Sequence, residues 1–195
     1  LTSSAGSSYL WSTGATTQSI IATTSGSYTV TVTNASGCSA TSAATAVTVN
    51  ALPTATITAG GATTFCAGGS VTLTSSAGAT YLWSTGATTQ SILVSAAGSY
   101  SVTVTNASGC SATSAATTVT VNALPTATIT AGSTTTFCAG GSVTLTSSTG
   151  TSYLWSTGAT TQSIIATTAG SYSVTVTNAS GCSATSAVTA VTVNA

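Results

Sequence analysis

The sequence predicts an all-β protein, a tandem array of small antiparallel β-sandwiches with a 72-residue repeat. Three observations predict it. The twelve residues Tyr81-Leu82-Trp83-Ser84-Thr85-Gly86-Ala87-Thr88-Thr89-Gln90-Ser91-Ile92 recur at 9–20 and 153–164, so Trp11, Trp83 and Trp155 stand 72 residues apart. Cys38, Cys110 and Cys182 keep that register, as do Cys66 and Cys138. Short alternating runs rich in Val, Ile and Thr, punctuated by Gly, fill the repeat, and no stretch has helical periodicity.

The 195 residues hold a little under three repeats. The expected boundaries are residues 1–51, 52–123 and 124–195. Leu1 aligns with Leu73, so the first repeat lacks the counterpart of residues 52–72. The expectation is that the chain is a window from a longer repeat protein; the alternative is that another chain supplies those strands. One repeat is near the lower end of what an apolar core alone stabilises.

Within residues 52–123 the elements follow in order. Leu52-Pro53 suits an extended linker. Thr54-Ala55-Thr56-Ile57-Thr58 alternates and reads as strand A, ended by Ala59-Gly60-Gly61. Thr63-Thr64-Phe65-Cys66 is a short edge segment, A′, and Ala67-Gly68-Gly69 turns. Val71-Thr72-Leu73-Thr74 is strand B, with Val71 and Leu73 on one face. Tyr81-Leu82-Trp83 is strand C, and Gly86 marks a turn. Ser91-Ile92-Leu93-Val94 is strand E. Tyr100-Ser101-Val102-Thr103-Val104-Thr105 is strand F, and Asn106-Ala107-Ser108-Gly109-Cys110 is a hairpin loop. Thr117-Thr118-Val119-Thr120-Val121-Asn122 is strand G. Seven such strands make a sandwich. Its expected core is Ile57, Val71, Leu73, Trp83, Ile92, Tyr100, Val102, Val104, Val119 and Val121, and all three tryptophans are expected to be buried.

Composition narrows the function. The chain has no Lys, Arg, Asp, Glu or His, where an ordinary domain is about 25% charged. Ser and Thr make up roughly two residues in five. General acid–base catalysis has no side chains to work with, and a Ser–His–Asp or Cys–His arrangement cannot be built. Carboxylate calcium sites and histidine zinc sites are excluded, and the spread cysteines form no CxxC pair. Phosphate neutralisation on a nucleic acid is excluded. The expectation is no enzyme, no cofactor, no metal, no nucleic acid and no membrane insertion, since no run of about 18 apolar residues exists. Five register-keeping cysteines suggest disulfides and an oxidising compartment.

Tyr81-x-Trp83-x-x-Gly86 followed by Gly98-x-Tyr100-x-Val102-x-Val104 resembles the immunoglobulin-like PKD family, with Trp on strand C and a tyrosine corner on strand F. Ser84-Thr85-Gly86-Ala87 stands where that family usually has Gly-Asp-Gly. Phe65-Cys66-Ala67-Gly68 through Leu73, then Tyr-x-Trp-Ser-x-Gly, then Gly98 through Gly109-Cys110, is similar to the Cys-containing Ig-like repeat of large secreted Bacteroidetes surface proteins. That resemblance covers every repeat. It implies tandem Ig-like (PKD-like) sandwiches in long cell-surface adhesins or filaments, with Trp11, Trp83, Trp155, Tyr28, Tyr100 and Tyr172 as core signature residues.

Three cysteine pairings are open in such a sandwich. Cys66–Cys110 closes a loop within one repeat, Cys38–Cys66 is local in sequence, and Cys66–Cys182 crosses repeats. Cys66 precedes strand B and Cys110 follows strand F, at opposite ends of a strand roughly 20 Å long, whereas a disulfide needs Cα atoms within about 7 Å. In an end-to-end array the base of one repeat meets the top of the next. The inter-domain pair Cys66–Cys182 is therefore preferred, with Cys38, Cys110 and Cys138 expected to pair outside the chain. The intra-domain pair and free thiols remain open.

Asn34, Asn106 and Asn178 each begin an Asn-Ala-Ser sequon, though Asn-x-x-Gly also simply makes a good turn. The Thr-x-Thr runs resemble threonine ladders of ice-binding solenoids, but the repeat is too long for a solenoid coil. Strand edges without Lys invite lateral pairing. The expected role is a structural repeat segment of an extracellular, cell-surface filament or adhesin stalk. Its expected partners are copies of itself or flanking repeats of the same chain. The alternative is an adhesin module that binds glycans or surfaces through exposed aromatics.

Overall fold

Alternation of apolar and hydroxyl side chains sets the main strands. A computed structural model describes all residues, Leu1–Ala195. The first repeat forms β1 (Ser8–Trp11), β2 (Gly26–Tyr28), β3 (Val30–Thr33), β4 (Ser39–Thr41) and β5 (Thr45–Val47). The second begins with β6 (Ile57–Ala59), β7 (Thr64–Cys66), β8 (Val71–Ser75), β9 (Thr80–Trp83) and β10 (Ser91–Val94). It ends with β11 (Gly98–Tyr100), β12 (Val102–Thr105), β13 (Ser111–Thr113) and β14 (Thr117–Asn122). The third begins with β15 (Ile129–Ala131), β16 (Thr136–Cys138), β17 (Val143–Ser147), β18 (Ser152–Trp155) and β19 (Ser163–Ala166). It ends with β20 (Gly170–Tyr172), β21 (Val174–Thr177), β22 (Ser183–Thr185) and β23 (Thr189–Asn194). There is no helix, and none long and apolar enough to cross a membrane. The molecule is all-β, a series of Ig-like sandwiches.

The third repeat shows the topology in full. One sheet runs β15-β17-β19, and the other layer is built from β18-β21-β22 and β16-β23-β20. β17 pairs antiparallel with β19, placing Leu145 opposite Ile164, and β18 pairs antiparallel with β21, placing Trp155 opposite Val174. Between the layers lie Val143, Leu145, Trp155, Ala166, Tyr172, Val174, Val176 and Val191. The second repeat repeats this core with Val71, Leu73, Trp83, Val94, Tyr100, Val102, Val104 and Val119.

The structure differs from the sequence expectation in three places. Val94 is buried, while Ile92, two residues earlier on the same face, is only partly buried, as are Ile57 and Val121. A period-two pattern names the face but not the depth along it. Second, the short segment β7 pairs parallel with β14, and β16 pairs parallel with β23. The chain switches sheets at Ala59-Gly60-Gly61, where the Gly60 amide closes β6 by donating to Thr72 O at 2.9 Å. Third, strand F is broken, into β11 and β12 and again into β20 and β21, and a short extra strand, β13 or β22, precedes an unbroken strand G. In the third repeat the Ser186 hydroxyl fills the gap, accepting from Val174 N at 3.2 Å and donating to Ala187 O at 2.8 Å. Ser114 does the same for Val102 and Ala115.

By contact density the chain forms two compact units. One is Leu1–Pro53 with Thr105–Ala112, and the other is Thr54–Val104 with Thr113–Ala195. In the first unit β1-β3-β4 and β2-β5 hold Trp11, Tyr28 and Val30 buried.

Candidate functional site

The recurring twelve-residue stretch is a self-contained local structure. The Trp83 amide donates to Ala87 O and the Gly86 amide to Trp83 O, both at 2.8 Å, which closes a tight turn. Gly86 sits there at φ +86°, a conformation that a side chain disfavours. The indole Nε1–H donates to Thr89 O at 2.8 Å, so the buried ring leaves no polar atom unpaired. Trp11 and Trp155 repeat this with Thr17 and Thr161. The three indoles are 5%, 2% and 2% exposed. They fill the core and offer no surface on which a sugar ring could stack.

Tyr28, Tyr100 and Tyr172 are also buried. The Tyr100 hydroxyl donates back to Ala96 O at 2.9 Å, Tyr28 to Thr24 O at 2.8 Å and Tyr172 to Thr168 O at 2.9 Å. Each is a tyrosine corner that ties the start of strand F to the turn before it.

The site that links one repeat to the next lies where β7 and β14 end together. The parallel register sets Cys66 beside Asn122, and the Ala67 amide donates to Asn122 O at 2.8 Å. Gly68, at φ +93°, then turns the chain away. A side chain on Gly69 would press on Cys66 O and the Phe65 ring at 3.1 Å, so Gly69 suits this corner by its small size and Gly68 by its backbone conformation. Against it stands the loop between β21 and β22. There Asn178 Oδ1 accepts from the Ser180 and Cys182 amides, both at 3.0 Å, and Gly181 takes φ +76°. Asn178 Nδ2 donates across the joint to Ala123 O at 2.9 Å. Cys182 is 1% exposed and is disulfide-bonded to Cys66, their Cα atoms 5.6 Å apart and 116 residues apart in sequence. The second and third repeats are thus joined by one covalent bond and one amide hydrogen bond.

The first unit contains the same half-joint without the bond. Asn106 Oδ1 accepts from the Ser108 and Cys110 amides at 3.0 Å, and its Nδ2 donates to Ala51 O at 2.8 Å. The Cys110 sulfur lies 3.9 Å from Asn50 O, as Cys182 lies 4.0 Å from Asn122 O. Cys110 is a free thiol, as are the exposed Cys38 and Cys138. The amide nitrogens of Asn106 and Asn178 are held by the linkers, so a glycan at either would have to break a joint. Asn34 Oδ1 accepts from the Ser36 and Cys38 amides at 3.0 Å in the same loop geometry. Sequence reasoning weighed these asparagines as sequons or turns and missed their role as inter-repeat donors. The signal was their fixed offset from the loop cysteine, four residues in every repeat.

The cysteines form no cluster of three that could hold a metal ion. The pocket walls are hydroxyl, amide and apolar. A groove of about 340 Å³ in the first unit is lined by Trp11, Tyr28, Val30, Val32 and several Ser and Thr.

No family model matches the chain, and no curated protein matches it in sequence. Solved structures do. Murine CEACAM1b aligns at 15% identity and TM-score 0.34, covering 72% of this chain and all of that one. Fibronectin(III)-like modules of Clostridium thermocellum CbhA align at 13% identity and TM-score 0.35, covering 70% and 92%. Extracellular domains 3–5 of Drosophila OTK align at 14% identity and TM-score 0.38, covering 92% and 74%. At these identities and scores the likenesses say nothing of what the chain binds.

Proposed function

We propose that the chain is a load-bearing segment of an extracellular, cell-surface filament or adhesin stalk, a spacer that transmits tension and turns over no substrate. The observation that carries this reading is the covalent joint. A disulfide inside a small sandwich only stabilises that sandwich, whereas Cys66–Cys182 connects consecutive sandwiches. It also needs an oxidising compartment to persist. The rest of the molecule supports the same use. The aromatic side chains that recur in every repeat are spent on cores and corners, and the outer faces carry hydroxyl pairs such as Thr175–Thr185 and Thr177–Ser183 at 2.9 and 2.8 Å. With no Lys or Arg the chain offers trypsin no cleavage site. Exposed Leu82, Leu93, Leu154 and Ile165 recur in register and support lateral association between copies.

Electron microscopy of the native material with and without reductant tests the reading. Continuous filaments with an axial repeat of roughly 30–45 Å per domain, loosened by reductant, are expected. Isolated globular particles, indifferent to reductant, would overturn it.

A further inference from the structure

Both cysteines of the joint are held in place by groups other than the bond between them. Cys66 ends β7, where the parallel register with β14 and the Ala67 amide, donating to Asn122 O at 2.8 Å, fix it beside Asn122. Cys182 sits in the loop that Asn178 shapes. The Asn178 carboxamide ties that loop to Ala123 O at 2.9 Å, and the Cys182 sulfur lies 4.0 Å from Asn122 O. Separate hydrogen bonds thus bind the two cysteines to the same two residues, Asn122 and Ala123. The loop of the second repeat makes the same contacts with no disulfide. Asn106 Nδ2 donates to Ala51 O at 2.8 Å, and the sulfur of the free Cys110 lies 3.9 Å from Asn50 O. The hydrogen-bonded hold therefore forms without the covalent bond.

The two ends of the bond differ in access. Cys182 is 1% exposed. Cys66 is half-buried, and Ala67 and Gly68, which follow it, are exposed. Nothing stands within 4 Å of where a side chain on Gly68 would begin, so the corner after Cys66 is open to solvent. Thiol–disulfide exchange requires a thiolate to reach one of the two sulfurs, and access decides which sulfur is attacked. In the folded joint that sulfur belongs to Cys66, and the buried Cys182 is the leaving group.

We propose that Cys66 is a site of reversible S-thiolation, at which a small-molecule thiol opens the joint and from which Cys182 expels it again. The proposal rests on the stalk reading above and makes its load-bearing bond self-resealing. In the opening step the thiolate of the small molecule attacks the Cys66 sulfur. A new sulfur–sulfur bond forms there, the bond from Cys66 to Cys182 breaks, and Cys182 leaves as a thiolate with the electron pair. Asn178 still holds the Cys182 loop on Ala123, so that thiolate stays beside the mixed disulfide at high effective concentration. In the closing step it attacks the Cys66 sulfur, restores the bond and expels the small thiolate. The cycle consumes no oxidant and no reductant, because each step exchanges one disulfide for another.

The test treats the dilute, folded, full chain with reduced glutathione, quenches samples in acid, and maps the modified cysteines by mass spectrometry after alkylation in denaturant. Glutathione is expected on Cys66, with Cys182 recovered as an alkylated thiol. After rapid removal of free glutathione, the mixed disulfide should return to Cys66–Cys182 with release of one glutathione, at a first-order rate independent of protein concentration. Asn178→Asp loses the donor to Ala123 O and should slow that return about fivefold to tenfold, the worth of one hydrogen bond. Glutathione on Cys182, an equal split between the two cysteines, or a bond inert until the chain is unfolded would overturn the proposal. So would reshuffling to Cys38, Cys110 or Cys138 in place of resealing, or a return rate that Asn178→Asp leaves unchanged. Any of these with Cys66–Cys182 mapped in the untreated chain leaves the stalk reading standing, whereas absence of that bond from the untreated chain removes both.

Discussion

At the scale of single residues, the molecule does with hydroxyl, amide and indole groups what other domains do with charge. Every buried Trp and Tyr that fills a core also donates one hydrogen bond to a backbone carbonyl a few residues away, so large apolar bodies are buried without orphaning their polar tips. Trp155→Ala should therefore cost about 3–5 kcal/mol, comparable to the whole stability of one marginal domain. Denaturant melts should show the third repeat unfolding ahead of the rest. Tyr172→Phe removes the corner hydrogen bond to Thr168 O and the hydroxyl pair with Thr168 Oγ1 and should cost about 1–2 kcal/mol, read in the same melts. Asn178 makes three bonds, two within its loop and one across the joint. Asn178→Ala should cost about 1–2 kcal/mol, and Asn178→Asp, which keeps the two loop acceptors but loses the donor to Ala123 O, should loosen the joint while sparing the loop. Hydrogen exchange at the Ser180 and Cys182 amides separates the two outcomes.

At the scale of elements, strands were legible and sheet membership was not. Val71-Thr72-Leu73-Thr74 and Val102-Thr103-Val104-Thr105 declared their inward faces by alternation, and the structure buries Val71, Leu73, Val102 and Val104. The parallel pairing of β7 with β14 was hidden because three residues, Thr64-Phe65-Cys66, carry no partner information of their own. Which sheet they join is decided by the Gly-rich turns on either side. Likewise the sequence assigns no element to β13 or β22, since Ser-Ala-Thr has neither apolar alternation nor β-branched weight. They become strands through cross-strand hydroxyl pairs such as Thr175–Thr185. The turn glycines follow from the same logic. Gly181→Ala forces an L side chain into φ +76° at a cost of about 1–2 kcal/mol, with Cys182 held by that turn. Its effect should appear as faster reduction of the Cys66–Cys182 bond by a fixed concentration of thiol.

At the scale of the whole molecule, the absence of ionisable side chains and the presence of one long-range bond govern behaviour. With no Asp, Glu, His, Lys or Arg, folded and unfolded states bind equal numbers of side-chain protons between about pH 4.5 and 7, so the slope of stability against pH vanishes there. The melting temperature should stay constant across that window, and likewise between low and moderate salt, where there are no charged pairs to screen; a scan of either variable checks it. The bond also reroutes force. Pulled from its two termini, the oxidised chain carries tension from Cys66 directly to Cys182, and the chain between them, a sequence separation of 116, is shielded. Single-molecule extension should release about 400 Å more contour length after reduction, at about 3.5 Å per residue.

All of this depends on which cysteines are joined. Non-reducing digestion with a protease that cleaves beside aromatic residues, followed by mass spectrometry of the linked peptides, reads that pairing directly. The account predicts one native bond within the chain, Cys66 to Cys182. A bond from Cys66 to Cys110 would contradict it, because it would confine each disulfide to a single sandwich and leave consecutive repeats without a covalent joint.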